Sequence, residues 1–118
     1  MSDLRTITIG AFQGDLMVRR ITRLPDGARF VARNGPIIVA HSQIGHHHII
    51  DDGGYARYYA TVDAMVSVVE IDSMVTLVHR RDVGAHESLC LAAPTPGTLW
   101  EFRRQREMSP KGWRRVED

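Results

Sequence analysis

A chain of 118 residues with 43% hydrophobic and 25% charged side chains has the size and balance of one ordinary globular domain, and it is too apolar to be disordered. Its formal net charge of +1 excludes a global field that would demand a polyanionic partner. The single cysteine, Cys90, excludes an intramolecular disulfide and a cysteine-rich zinc site, and in Leu89-Cys90-Leu91 it reads as a small core residue.

The N-terminal Met1-Ser2-Asp3-Leu4-Arg5 has neither the basic start nor the apolar stretch of a signal peptide, so a cytoplasmic location is the default expectation. From there the chain is a series of short β-type runs broken by glycine, proline and aspartate. Thr6-Ile7-Thr8-Ile9 alternates and stops at Gly10. Strands are expected over 15–21, 36–41, 55–62, 65–71, 74–79 and 98–102, with shorter ones at 29–32, 46–50 and 89–92. Leu24-Pro25-Asp26-Gly27 and Asp51-Asp52-Gly53-Gly54 are turns by composition. Asn34-Gly35 is a tight hairpin signal, and Asp72-Ser73 reads as a two-residue turn. The run Pro36-Ile37-Ile38-Val39-Ala40 is too short to span a bilayer, so no membrane segment is expected. Residues 103–108 either extend the last strand or begin a helical turn.

No segment keeps a 3.6-residue period. The expected fold is therefore all-β or mainly β, a small single-domain barrel or sandwich of short antiparallel strands over 1–118. Residues 103–118 form a basic C-terminal tail. The stretch from Arg103 to Arg115 holds six basic residues around Trp113, a composition suited to phosphate contact and base stacking. Glu101, Glu107, Glu117 and Asp118 dilute that field, and a tail folded back on the domain through Trp113 is the expected arrangement.

Six histidines are unevenly placed, with three in Gly45-His46-His47-His48. On a strand, alternate side chains share a face, so His46 and His48 point one way and His47 the other. Two imidazoles can then reach one ion from a single strand. Further ligands are available in His79 and His86, which flank the polar loop Arg80-Arg81-Asp82-Val83-Gly84-Ala85, and His41 precedes the pair. The metal site expected from this pattern uses His46, His48 and one or both of His79 and His86. It would hold a divalent transition ion such as Zn, Fe or Mn, and the same histidines otherwise read as hydrogen-bonded residues without metal. With three ligands and an open position the ion would activate water, and with four it would be closed and structural, so whether the protein is an enzyme stays open.

Cupins also carry a His-x-His pair on a barrel strand. This chain departs from them in having Asp51 or Asp52 where a glutamate would follow, and Thr98-Leu99-Trp100 rather than a histidine after Pro94-Thr95-Pro96-Gly97. A broader likeness rests on three stretches. They are Gln13-Gly14-Asp15 with Leu24-Pro25-Asp26-Gly27-Ala28, the run from Val39 through His48, and Phe102-Arg103-Arg104-Gln105-Arg106-Glu107 with the end of the chain from Trp113. Together they resemble a small, functionally uncharacterised family met in bacteriophage, prophage and bacterial genomes. That family pairs a His-Ser-x-x-Gly-His-x-His segment with a later Leu-x-His segment, here Leu77-Val78-His79, and an Arg-Arg-Gln-Arg-Glu tail. The resemblance implies a common fold and a viral origin, and it implies no activity.

Two other classes of function fit the same sequence. One is a non-catalytic interaction module that binds a phage or host protein, or a second copy of itself, through a sheet edge. The other is a nucleic-acid-binding module that uses the basic tail. Metal content separates the first reading from both, and salt-dependent retention on DNA or RNA identifies the last.

Overall fold

A computed structural model describes residues 5–32, 35–40, 47–50, 56–79, 87–104, 106–109 and 112–115, and every regular element among them is a strand. In chain order these are β1 (Arg5–Ile7), β2 (Gly10–Gln13), β3 (Leu16–Ile21), β4 (Arg29–Val31), β5 (Ile37–Ala40), β6 (His48–Ile50) and β7 (Ala56–Ala60). They continue as β8 (Val66–Ile71), β9 (Val75–His79), β10 (Glu87–Leu91), β11 (Thr98–Arg104), β12 (Arg106–Ser109) and β13 (Gly112–Arg115).

The strands form a five-stranded sheet ordered β1-β10-β9-β6-β5 and a six-stranded sheet ordered β2-β3-β11-β8-β7-β4. All pairings are antiparallel except β1 with β10. Neither sheet closes on itself, so of the two expected architectures the molecule takes the sandwich and not the barrel. β12 and β13 pair with each other in a separate two-stranded sheet. The strand option for the start of the tail therefore holds through Arg104, and no helical turn follows it among the described residues.

The alternating segments expected as strands lie where β3, β5, β7, β8, β9 and β11 are found. Several turns do something other than reverse the chain within a sheet. β4 and β5, on either side of Asn34-Gly35, belong to different sheets. The hairpin expected there is thus a crossing between layers. Gly35 keeps the positive φ of 82° that made the dipeptide look like a tight turn. Pro36 follows it without an N–H for a ladder bond. The Asp72-Ser73 turn likewise carries the chain from β8 in one sheet to β9 in the other.

The core lies between the two layers. β5, β6, β9 and β10 contribute Ile37, Val39, Ile50, Val75, Leu77, Leu89 and Leu91. β3, β8 and β11 contribute Leu16, Val18, Val69, Ile71, Trp100 and Phe102 from the facing sheet. The period-two pattern of β11 sends Trp100 and Phe102 to the same side, where both are buried. The buried indole of Trp100 donates its N–H to the Ala92 carbonyl at 3.0 Å. The Ser67 hydroxyl spans the layers to the Val39 carbonyl at 3.0 Å. Among the described residues no helix is long and apolar enough to cross a membrane.

Candidate functional site

At one end of the sandwich the apolar interior gives way to five polar side chains. Gln13, Asp15, His48, His79 and Arg104 are each between 0 and 7% exposed. Gln13, His48, His79 and Arg104 sit at strand termini, placed by the same alternation that builds the core, and Asp15 lies in the turn that joins β2 to β3. In β9, His79 follows Val75 and Leu77 on the inward side, and in β6, His48 shares a face with Ile50. In β11, Arg104 follows Trp100 and Phe102 on the inward side. Gln13 ends β2, and Asp15 stands just before β3.

His48 and His79 are direct register partners across β6 and β9. Their rings stack with centroids 4.1 Å apart and planes 12° from parallel. The β2–β3 turn of the facing sheet lies against this pair. Along it, Gln13 Oε1 is 2.8 Å from His48 Nδ1, and Asp15 Oδ1 is 3.3 Å from His48 Nε2. Gly14 sits between these two contacts with φ at 58°. A Cβ at Gly14 would fall 2.8 Å from His79 Cε1 and 3.7 Å from His48 Cε1, so a side chain there would displace the His79 ring. The Gln13-Gly14-Asp15 turn thus reads the edge of His48 atom by atom, and glycine lets the backbone approach closely enough to do so.

Two further bonds fix this arrangement. Gln13 Nε2 donates to the Leu77 carbonyl at 3.1 Å, which sets the amide so that its oxygen faces His48. Arg104 donates from a terminal guanidinium nitrogen to Asp15 Oδ2 at 3.2 Å, a buried charge pair that anchors the carboxylate. The electrostatics are those of a desolvated anion, its arginine and two imidazoles, all closed off from water.

Of the four histidines expected as ligands, the structure brings His48 and His79 together, and His46 and His86 lie outside the described residues, as does His41. His46 is two residues before His48, and His86 immediately precedes Glu87, whose backbone pairs with His79. A single cross-strand row therefore runs from His48 through His79 to Glu87, and both remaining candidates adjoin it in the chain. Stacked rings hold their in-plane lone pairs in two near-parallel planes. One ion at about 2.0–2.1 Å from both requires one ring to turn. Among the described residues no group of three or more His, Cys, Asp or Glu side chains is arranged to hold a metal ion.

Sequence reasoning did not single out Gln13, Asp15 or Arg104 as members of the site. A signal existed for each. Arg104 continues the Trp100, Phe102 alternation, and Gln13 and Asp15 flank a glycine at a strand-to-strand turn.

One family model, described as a domain of unknown function (DUF8820), matches residues 12–105. That span encloses the five buried polar residues of the site together with His46 and His86, and it stops short of β12 and β13. No curated protein and no solved structure matches the chain.

Proposed function

Since the chain belongs to this family of domains of unknown function, we propose, from its own residues, that it binds one divalent transition metal ion at the end of the sandwich. The candidate ligands are His46, His48, His79 and His86. The observation that carries this reading is the buried, register-paired His48 and His79 against a carboxylate. Removing two imidazoles, a carboxylate and a guanidinium from water is costly unless each is paired, and the Gln13 and Arg104 bonds supply part of that pairing. A divalent cation shared by the imidazoles would add to these bonds. Gln13 supports it from the second layer, since a metal-bound histidine characteristically gives its other ring N–H to an oxygen acceptor. Imidazole and carboxylate donors suit Zn, Fe or Mn.

The test is calorimetric titration of the full chain, made without an affinity tag, with zinc, iron(II) and manganese(II). His48→Ala and His79→Ala are each expected to weaken binding at least 100-fold, and His47→Ala is expected to leave it within a few-fold of the parent. Equal affinity in all three variants would end the reading.

A further inference from the structure

We infer that β2 is the seam of a two-fold dimer of this chain, in which the β2 strands of two copies pair antiparallel and the six-stranded sheets continue into one another. The occupant of this edge is a second copy, and the pairing is independent of any metal.

Four strands form the outer edges of the two sheets: β1, β5, β2 and β4. Natural sheet edges are blunted by charge or proline, which keep other strands from adding to the ladder. β1 contains Arg5, β4 contains Arg29, and Pro36 stands immediately before β5. β2 has no such guard, since neither a charged residue nor a proline occurs between Arg5 and Asp15. Two large apolar side chains are exposed on the same stretch, Ile9 at 76% and Phe12 at 60%. Because the segment is uncharged, two copies can meet across a two-fold axis without like charges opposing each other.

The hydrogen-bond phase of β2 sets the register. Arg20 donates its backbone N–H to the Ile9 carbonyl at 2.8 Å, and Gly10 lies opposite Arg19. Bonded and non-bonded pairs alternate along an antiparallel ladder. Ile9, Ala11 and Gln13 therefore turn their backbone groups toward β3. Gly10 and Phe12 turn theirs to the open edge, where no described strand meets them. An antiparallel copy centred on Ala11 pairs Gly10 with the partner's Phe12 and Phe12 with the partner's Gly10. Both residues then satisfy their N–H and C=O groups in both copies. The side chains obey the same register. Gly10 and Phe12 share the face opposite to that of Ala11, which packs on the core. Each Phe12 ring then lies over the partner's Gly10, where no side chain obstructs it, and an edge glycine is stabilised by such an aromatic cover. Next in that row comes the partner's Arg19, a half-exposed cation tied to Glu101 at 2.8 Å, which the ring face attracts. An edge of four residues is small against the roughly 1,200–2,000 Å² that stable complexes bury, so the dimer is weak and concentration-dependent.

The test is sedimentation equilibrium of the full chain in EDTA, which removes bridging by metal, from low-micromolar to near-millimolar loading. Wild type is expected to pass from one chain toward two as concentration rises. Phe12→Lys is expected to weaken association about 10-fold or more, because it places a charge on the seam beside the partner's Arg19. Phe30→Lys, on the opposite edge of the same sheet, is expected to leave association unchanged. Both side chains are more than half exposed, so both variants are expected to fold. Amide NMR of wild type needs no variant. The Gly10 and Phe12 N–H groups are expected to shift and to gain protection from hydrogen exchange with concentration, while that of Ala11, already bonded to β3, keeps its protection. Wild type that stays monomeric throughout overturns the proposal and leaves the edge to a strand of another protein. A dimer that Phe12→Lys and Phe30→Lys affect equally, or one in which the Gly10 and Phe12 amides gain no protection, also overturns it.

Discussion

Gly14 shows how much of the site depends on an atom that is absent. Its φ of 58° is one that side-chain-bearing residues adopt at a cost, and a Cβ there would press on the His79 ring at 2.8 Å. Gly14→Ala is expected to destabilise the fold by about 1–3 kcal/mol and to shift the ring resonances of His48 and His79. Urea unfolding and NMR read these two effects. Gly35 has a φ of 82° but nothing within 4 Å of its Cβ position, so Gly35→Ala should move stability without touching the histidine signals. At this scale the sequence made the histidines conspicuous but not their partners. A His-x-His pair is visible as a local pattern, and His48 stands out for that reason. Asp15 and Gln13 meet His48 only across sheets, at chain separations of 33 and 35 residues, and Arg104 meets Asp15 at a separation of 89. No local pattern encodes such distances.

Strands were legible because burial on one face writes itself as alternation. β11 illustrates both the strength and the reach of that signal. Trp100 and Phe102 mark the inward face, and the same period places Arg104 inside as well. Phe102→Ala is expected to cost about 3–5 kcal/mol, a large part of the about 5–15 kcal/mol that holds a domain of this kind folded. Phe12, 60% exposed on β2, should cost no more than about 0.5 kcal/mol on the same truncation. Denaturant midpoints of the two variants make the comparison. What alternation does not say is which sheet a strand joins. Asn34-Gly35 and Asp72-Ser73 carry turn chemistry, yet each delivers the chain to the opposite layer. Turn residues specify a reversal of direction, and the choice of layer is made by long-range burial. The weakly patterned Gly10–Gln13 segment became β2 because β3 pairs with it, from Gln13 opposite Leu16 to Gly10 opposite Arg19.

The molecule as a whole combines a dry polar end with a solvent-facing charge lattice on its larger sheet. In that lattice Arg57 of β7 reaches Glu70 at 2.6 Å and grips both oxygens of Asp72 at 2.8 and 3.0 Å. Hydrogen bonding from Arg57, reinforced by its charge and by the Gly97 N–H, holds the Asp72 carboxyl below its ordinary value of 3.8, against a smaller opposing effect of burial. A carboxyl depressed in the folded state contributes stability above its unfolded value, and that contribution is lost as pH falls through the folded one. Wild type should therefore lose stability more steeply than Asp72→Asn on acidification below about pH 4, as followed by thermal unfolding midpoints. The pairing of two histidine-bearing strands with a carboxylate turn from the other sheet is the feature on which the functional account stands. Its most direct test is elemental analysis of the full chain, prepared without an affinity tag and dialysed to equilibrium against zinc, iron(II) and manganese(II) in turn. The account predicts one tightly held ion per chain for at least one of these metals, with none retained by His48→Ala. A wild-type protein that leaves dialysis with no bound metal would contradict it.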